Sequence, residues 1–215
     1  MDYASMIPQM LKGTQVTLQV FAVTLALSIP LGFILMLAYN SKNFILRKVT
    51  GFYILLMRGT PLLLQMFFVY YGLYYIPVIG KSLIFGRFTS CCIAFVLNYA
   101  AYFAEIFRGG LLAVDKGQFE AAKVLGLKKS HTFLKIVIPQ MVRVSLPSIS
   151  NETIILVKDT ALVTAIALPD LLHVTKTIVN NKVSIMPYAI AAAFYLVMSY
   201  VLTVLFRQLE KKYAF

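Results

Sequence analysis

The segment DKGQFEAAKVLGLKKSHTFLKIVIP, residues 115–139, decides how this chain is read. Asp115 followed by Gln118 predicts a helix start, a side-chain acceptor with a capping-box partner three residues on. Ala121, Ala122 and Leu125 give that helix a small, smooth face, and Gly126 stands where a C′ glycine would end it. Ser130 is placed to cap a second helix, which runs into Pro139. A compact, lysine-rich helix-turn-helix therefore interrupts an otherwise apolar chain. Such an element suits a membrane protein that presses a knob into a soluble partner.

The rest of the sequence agrees with a membrane protein. Of 215 residues 60% are hydrophobic, and the mean hydropathy is +0.81. Soluble domains are about 45–50% apolar, so lipid must solvate part of this surface. The mass fits one domain, residues 1–215, with the helical knob at about 115–135 as its protruding loop. The net charge of +12 does not mark a nucleic-acid binder, because the basic residues cluster in loops between apolar runs rather than along a stripe. Cys91 and Cys92, the only cysteines, are adjacent and read as apolar fillers of a helix. His131 and His173 fall on opposite sides of the membrane and form no metal pair. The stretch Met1 to Leu11 lacks a basic n-region and a cleavage site, so the first apolar run reads as a retained transmembrane helix.

About 20 apolar residues cross the hydrocarbon core. Five spans meet that test: roughly 13–39, 49–75 interrupted at Gly59 and Pro61, 88–107, 136–156 broken by Pro139 and Pro147, and 188–206. The run 161–168 is too short to cross and reads as a re-entrant or half-helix, and 170–182 reads as an external loop or surface helix. The expected fold class is all-α and polytopic, with broken helices. Lysine and arginine collect in the loops at 42–48 and 116–135 and in the tail at 207–212, which places these on the cytoplasmic side, the N-terminus outside and the C-terminus inside.

The order Glu120-Ala121-Ala122, Gly126, Ile136-Val137-Ile138-Pro139 resembles the EAA loop of ABC-importer permeases, with Ile138 where many members carry leucine. Arg58-Gly59-Thr60-Pro61-Leu62-Leu63 and Ala104-Glu105-Ile106-Phe107-Arg108-Gly109 are similar to segments of the polar amino-acid permease subfamily. The resemblance implies a type I ABC-importer permease fold in a bacterial cytoplasmic (inner) membrane. It implies two ATPase subunits that carry ATP and Mg, a second permease copy or close homologue, an extracytoplasmic amino-acid-binding protein, and polar amino acids as cargo. Glu120, Ala121, Ala122, Leu125 and Gly126 then become the ATPase-coupling residues.

Other residues carry expectations of their own. Pro61 cannot donate a hydrogen bond, so a carbonyl one turn earlier loses its partner. In lipid such a group is tolerated where it is buried or faces a wet cavity. Thr60, Leu62 and Gln65 beside this break, and Asn98, Tyr99 and Tyr102 on the third span, are candidate cavity residues, with helix packing and interhelical hydrogen bonding as the competing roles. Glu105 and Arg108, three apart, read as a structural or gating ion pair. Asp159 and Thr160 precede the short apolar run, where the acid either caps a half-helix or receives a cationic group of cargo. Gly80-Lys81-Ser82 lacks the earlier glycine of a phosphate-binding loop, so this chain holds no nucleotide, metal or other cofactor itself. No catalytic motif stands out; an ion-coupled carrier or channel is the rival reading.

Overall fold

A computed structural model describes residues 3–78 and 80–213; Met1 and Asp2, the start of the stretch read above as part of a retained helix, lie outside them. The described residues are helical, with no strand among them. The long helices are α1 (Tyr3–Tyr39), α2 (Phe44–Gly59), α4 (Arg87–Leu112), α7 (Ile138–Asp159) and α9 (Met186–Tyr213). Shorter ones are α3 (Leu62–Phe67), α5 (Lys116–Val124), α6 (Lys129–Thr132) and α8 (Leu171–Lys182).

The bundle is built around α4, which packs on α1, α2, α3 and α7. Phe95, Tyr99, Ala100, Ala101 and Phe103 on α4 are all shut off from solvent. At Gly32 a Cβ would lie 2.7 Å from Phe103 Cβ and 2.9 Å from the Ala100 carbonyl oxygen. The absent side chain lets α1 press directly on α4, the close approach small residues permit between membrane helices. Two-thirds of the apolar window of α4 is buried, against very little of that of α9, whose Leu196, Val197, Tyr200 and Leu205 face outward.

Among the described residues three helices, α1, α4 and α9, are long and apolar enough to cross, and α2 with the segment Leu62–Tyr75 makes a fourth if the pair is one span. That pair is bent by 106°, so the second span is not a kinked rod but two arms meeting at the Gly59–Pro61 corner. The fifth element, α7, has 22 residues and is about 33 Å long at 1.5 Å per residue, enough to cross, although Arg143, Glu152, Lys158 and Asp159 dilute its hydropathy.

Several sequence expectations are corrected. α1 begins at Tyr3, ten residues before Gly13, because Met6 and Met10 are buried in a second core with Leu171, Ile178 and Ala191. The fourth span is not broken at its prolines. A π-helical turn over Phe133–Val137 leads into Pro139 in the first turn of α7, and Pro147 sits inside the helix without ending it. Pro139 has no N–H for the Lys135 carbonyl, and a widened turn absorbs that defect. The run 161–168 is no separate half-helix: a 3-10 segment over Thr160–Ile166 continues α7 directly and stops at Ala167, whose φ is 56°. Residues 170–182 form the helix alternative, α8, held on α1 and α9. Asp170 caps it, accepting from the Leu172 and His173 N–H groups at 3.1 and 3.0 Å.

Candidate functional site

The site grows from the corner between α2 and α3. An intact helix would have the N–H of residue 61 donate to the Met57 carbonyl, and Pro61 removes that donor. The fold replaces it from two side chains. Asn98 Nδ2 on α4 donates to the Met57 carbonyl oxygen at 2.8 Å, and Gln65 Nε2 donates to the same oxygen at 2.9 Å. Gln65 Nε2 also reaches Thr60 Oγ1 at 2.7 Å, while its Oε1 accepts from Asn98 Nδ2 at 3.0 Å. Thr60 Oγ1 donates to the Leu56 carbonyl at 2.8 Å. The corner is a closed hydrogen-bonded clasp, which explains how two bent arms survive in an apolar setting.

Inside the corner lies a cavity of about 610 Å³, lined by residues 58–62 of the corner, by Asn98, Tyr99 and Tyr102 of α4, by Glu152, Ile155 and Asp159 of α7, and by Leu162. A neighbouring cavity of about 530 Å³ shares Arg58, Tyr102 and Glu152 with it and continues past Glu105 to Gly110 and Ser145. Tyr99 donates its O–H to Asp159 Oδ2 at 2.7 Å. The Arg58 guanidinium carbon sits 5.3 Å from the Tyr102 ring centre, and Arg58 Nη1 lies 3.7 Å from Glu105 Oε2. Glu105 is also clasped by Arg108, whose Nη2 donates to Oε2 at 2.6 Å and whose Nε donates to Oε1 at 3.1 Å. Across both cavities the acids Glu105, Glu152 and Asp159 line the trough together with Arg58, and Arg108 holds Glu105 from outside that lining. Arg58 lines both cavities and so stands where they meet.

Of the residues proposed from sequence, Thr60, Leu62, Asn98, Tyr99, Tyr102 and Asp159 come together around this cavity. Gln65 and Thr160 do not line it. Gln65 is consumed by the clasp, and Thr160 is buried with its Oγ1 donating to the Val157 carbonyl at 2.7 Å. Asp159 is not a helix cap: it ends α7 in a helical conformation with no side-chain bond to the following turn. Arg58 and Glu152 also line the cavity, a place the sequence reading assigns to neither. Glu152 precedes Asp159 by seven residues, two helical turns, and that spacing alone places both acids on one face.

The helical knob lies in the chain between α4 and α7. Asp115 Oδ1 accepts from the Gly117 N–H at 2.6 Å and starts α5. The reciprocal half of the expected capping box is replaced, since Gln118 Oε1 accepts instead from Gln140 of α7 at 3.5 Å. Leu127 N–H donates to the Ala122 carbonyl at 2.9 Å and Gly126 N–H to the Lys123 carbonyl at 3.1 Å, a Schellman ending with Gly126 at φ 68°. Ser130 does not cap the next helix: α6 begins at Lys129, with Lys128 in the cap position. Glu120, Ala121 and Leu125 point outward while Ala122 turns into the protein, so the smooth face is Ala121 and Leu125, one turn apart. Val124 is 87% and Leu125 74% exposed, an apolar tip standing clear of the bundle. Gly80–Ser82 is a short 3-10 turn, and no cluster of three metal-binding side chains exists among the described residues.

A helical membrane bundle, with a broken helix opening on a polar cavity at one place and an apolar knob at another, defines a transport subunit driven from outside itself. Comparison with known proteins agrees. The family described as "binding-protein-dependent transport system inner membrane component" matches residues 28–215. The octopine transport system permease protein OccM of Rhizobium radiobacter is 39% identical over 206 residues, 94% of this chain and 84% of that protein. The probable amino-acid ABC transporter permease protein YckA of Bacillus subtilis is 37% identical over 208 residues, 96% and 90% of the two chains. A solved structure described as an amino acid ABC transporter with histidines superposes with a TM-score of 0.89 at 32% identity, over 99% of each chain. The MetNI methionine ABC transporter shares the fold, with a TM-score of 0.75 at 13% identity. The chain belongs to the binding-protein-dependent transport system inner membrane component family. It is the permease subunit of an ABC importer, not a catalytic subunit.

Proposed function

We propose that this chain forms the membrane pathway of an importer for polar amino acids, with its cargo held in the cavity at the α2–α3 corner. The observation that carries this reading is the cavity's charge arrangement. A guanidinium, Arg58, stands across one 610 Å³ space from two carboxylates, Glu152 and Asp159. An amino acid offers the complementary pair: an α-carboxylate for Arg58 and an α-ammonium or cationic side chain for the acids. Tyr99 holds the Asp159 carboxylate in place, and Tyr102 steadies Arg58. The relatives' names, octopine transport and amino-acid ABC transporter, agree with such cargo.

In this scheme residues 1–215 are one transmembrane domain, paired with a second copy or close homologue. Two ATPase subunits, which bind ATP and Mg, grip the knob at 115–135 on the cytoplasmic side. That orientation follows from the excess of lysine and arginine on the knob's side, which puts the N-terminus outside and the C-terminus inside. An extracytoplasmic binding protein delivers cargo. Glu120, Ala121, Leu125 and Gly126 take up the motion, Ala122 anchors the knob, and the Gln118–Gln140 contact relays it to α7 and hence to Glu152 and Asp159. Glu105, held by Arg108, braces the second cavity. The test is uptake by the reconstituted complex with a panel of amino acids. Glu152→Gln and Asp159→Asn should each raise KM for cationic and zwitterionic cargo about ten-fold or more, the loss of one charge-assisted contact. Unchanged KM for every cargo in both variants would remove the cavity from the pathway.

A further inference from the structure

The turn between α1 and α2 carries an unused cluster of cations. Lys42, Arg47 and Lys48 are all exposed, and none has an acidic partner among the described residues. The sequence explains why: no aspartate or glutamate occurs between Asp2 and Glu105. Two of the cations gather on one ring. The Arg47 guanidinium carbon lies 5.9 Å, and Lys48 Nζ 5.6 Å, from the centre of Phe44. Phe44 is 61% exposed and Ile45 72%, although both open a helix whose outward side, Val49, Phe52 and Leu55, is apolar and uncovered. That side belongs in hydrocarbon. The basic end of the same helix then stands at the depth of the lipid headgroups, with Phe44 at the boundary. The Asn43 carboxamide fixes the start of α2 by accepting from the Ile45 and Leu46 N–H groups at 3.0 and 3.2 Å, so the cluster is held on a rigid helix end.

We infer that Lys42, Phe44, Arg47 and Lys48 form a docking site for the headgroups of anionic phospholipids. Charge complementarity selects the occupant. Three cations without counter-charges, next to a lipid-facing helix, attract a phosphodiester that brings no positive group of its own. A zwitterionic headgroup offers the same phosphate but cancels it with a cation. The knob lysines differ in kind, because they surround the exposed apolar tip of Val124 and Leu125.

The chain contains no tryptophan, which makes a direct test possible. A Phe44→Trp permease, assembled with its partner subunits, is reconstituted in two vesicle sets of phosphatidylglycerol and phosphatidylcholine in equal overall ratio. In one set the phosphatidylglycerol is brominated, in the other the phosphatidylcholine. The quenching is taken as the difference from the unsubstituted complex. At an equimolar ratio brominated phosphatidylglycerol should quench about five times as effectively as brominated phosphatidylcholine, the preference one engaged cation supplies near an anionic leaflet. Raising salt, or adding Lys42→Gln, Arg47→Gln and Lys48→Gln together, should bring the two lipids to parity. Equal quenching by both lipids without those changes would overturn the inference. So would no quenching by either, which would mean that a partner subunit or a second copy covers the site. A phosphatidylglycerol preference that survives the triple glutamine change would overturn it as well. None of these outcomes depends on which cargo the importer carries.

Discussion

Replacing Asn98 with leucine tests whether the corner clasp is what lets α2 and α3 part at such an angle. Asn98 is only 4% exposed, and its Nδ2 serves two acceptors, the Met57 carbonyl at 2.8 Å and Gln65 Oε1 at 3.0 Å. Leucine fills similar space, so the change isolates hydrogen bonding from packing. Bonds between membrane helices contribute about 0.6 kcal/mol each on average, so losing two costs roughly 1 kcal/mol. Gln65 Oε1 is then left without its donor in a half-buried position, which adds about 1 kcal/mol at the low end of the penalty for an orphaned acceptor. Met57 keeps Gln65 Nε2, so its carbonyl adds nothing further. The expected destabilisation is about 2 kcal/mol, measured by equilibrium unfolding of the complex in mixed micelles. Gln65→Leu should cost a similar amount, and the double variant less than the sum by about 1 kcal/mol, because the pair is one network. A loss below about 0.5 kcal/mol for Asn98→Leu, or strict additivity of the two changes, would refute the argument that these side chains stand in for the missing N–H of Pro61.

Other consequences follow from the same geometry. Glu105→Gln strips the shared counter-charge from Arg58 and Arg108, so the thermal midpoint should fall by an amount equivalent to about 1 kcal/mol. Gly126→Ala places a Cβ at φ 68°, costing the end of α5 about 1 kcal/mol. Uptake driven by ATP should drop while the subunit still assembles in the membrane; undiminished uptake would show that the shape of the knob is immaterial. Asp170, in the loop ahead of α8, has its carboxyl pushed up to about 6 by burial, against the opposing pull of the His173 and Leu172 N–H groups. The folded state therefore holds this proton more tightly than the unfolded chain. The resulting stabilisation is complete below about pH 4 and is lost as pH rises through about 6. Stability should decline between pH 5 and pH 7.5 by about 2 kcal/mol at most, and Asp170→Asn should flatten that decline; the same slope in both proteins would contradict it.

The sequence alone established the membrane class, and it placed a helical element at about 115–135 and paired Glu105 with Arg108, where the structure has short helices and that ion pair. Each of these rests on local signals: composition, a span's length, a glycine that must adopt positive φ, or a three-residue helical spacing. Even the face shared by Glu152 and Asp159 was open to reading from their seven-residue separation. The tertiary structure decided everything that depends on what a side chain meets across helices. It assigned Gln65 to the clasp rather than the cavity, because the carbonyl orphaned by Pro61 had to be satisfied by the nearest amide. It turned Asp159 from a cap into an acceptor for a tyrosine sixty residues away, since α7 runs straight into its 3-10 continuation and leaves no helix start to cap. It kept α7 whole despite two prolines, because one falls in a first turn behind a widened π-helical turn. Proline and aspartate announce that a backbone group needs a partner, but only packing in three dimensions supplies the partner's identity.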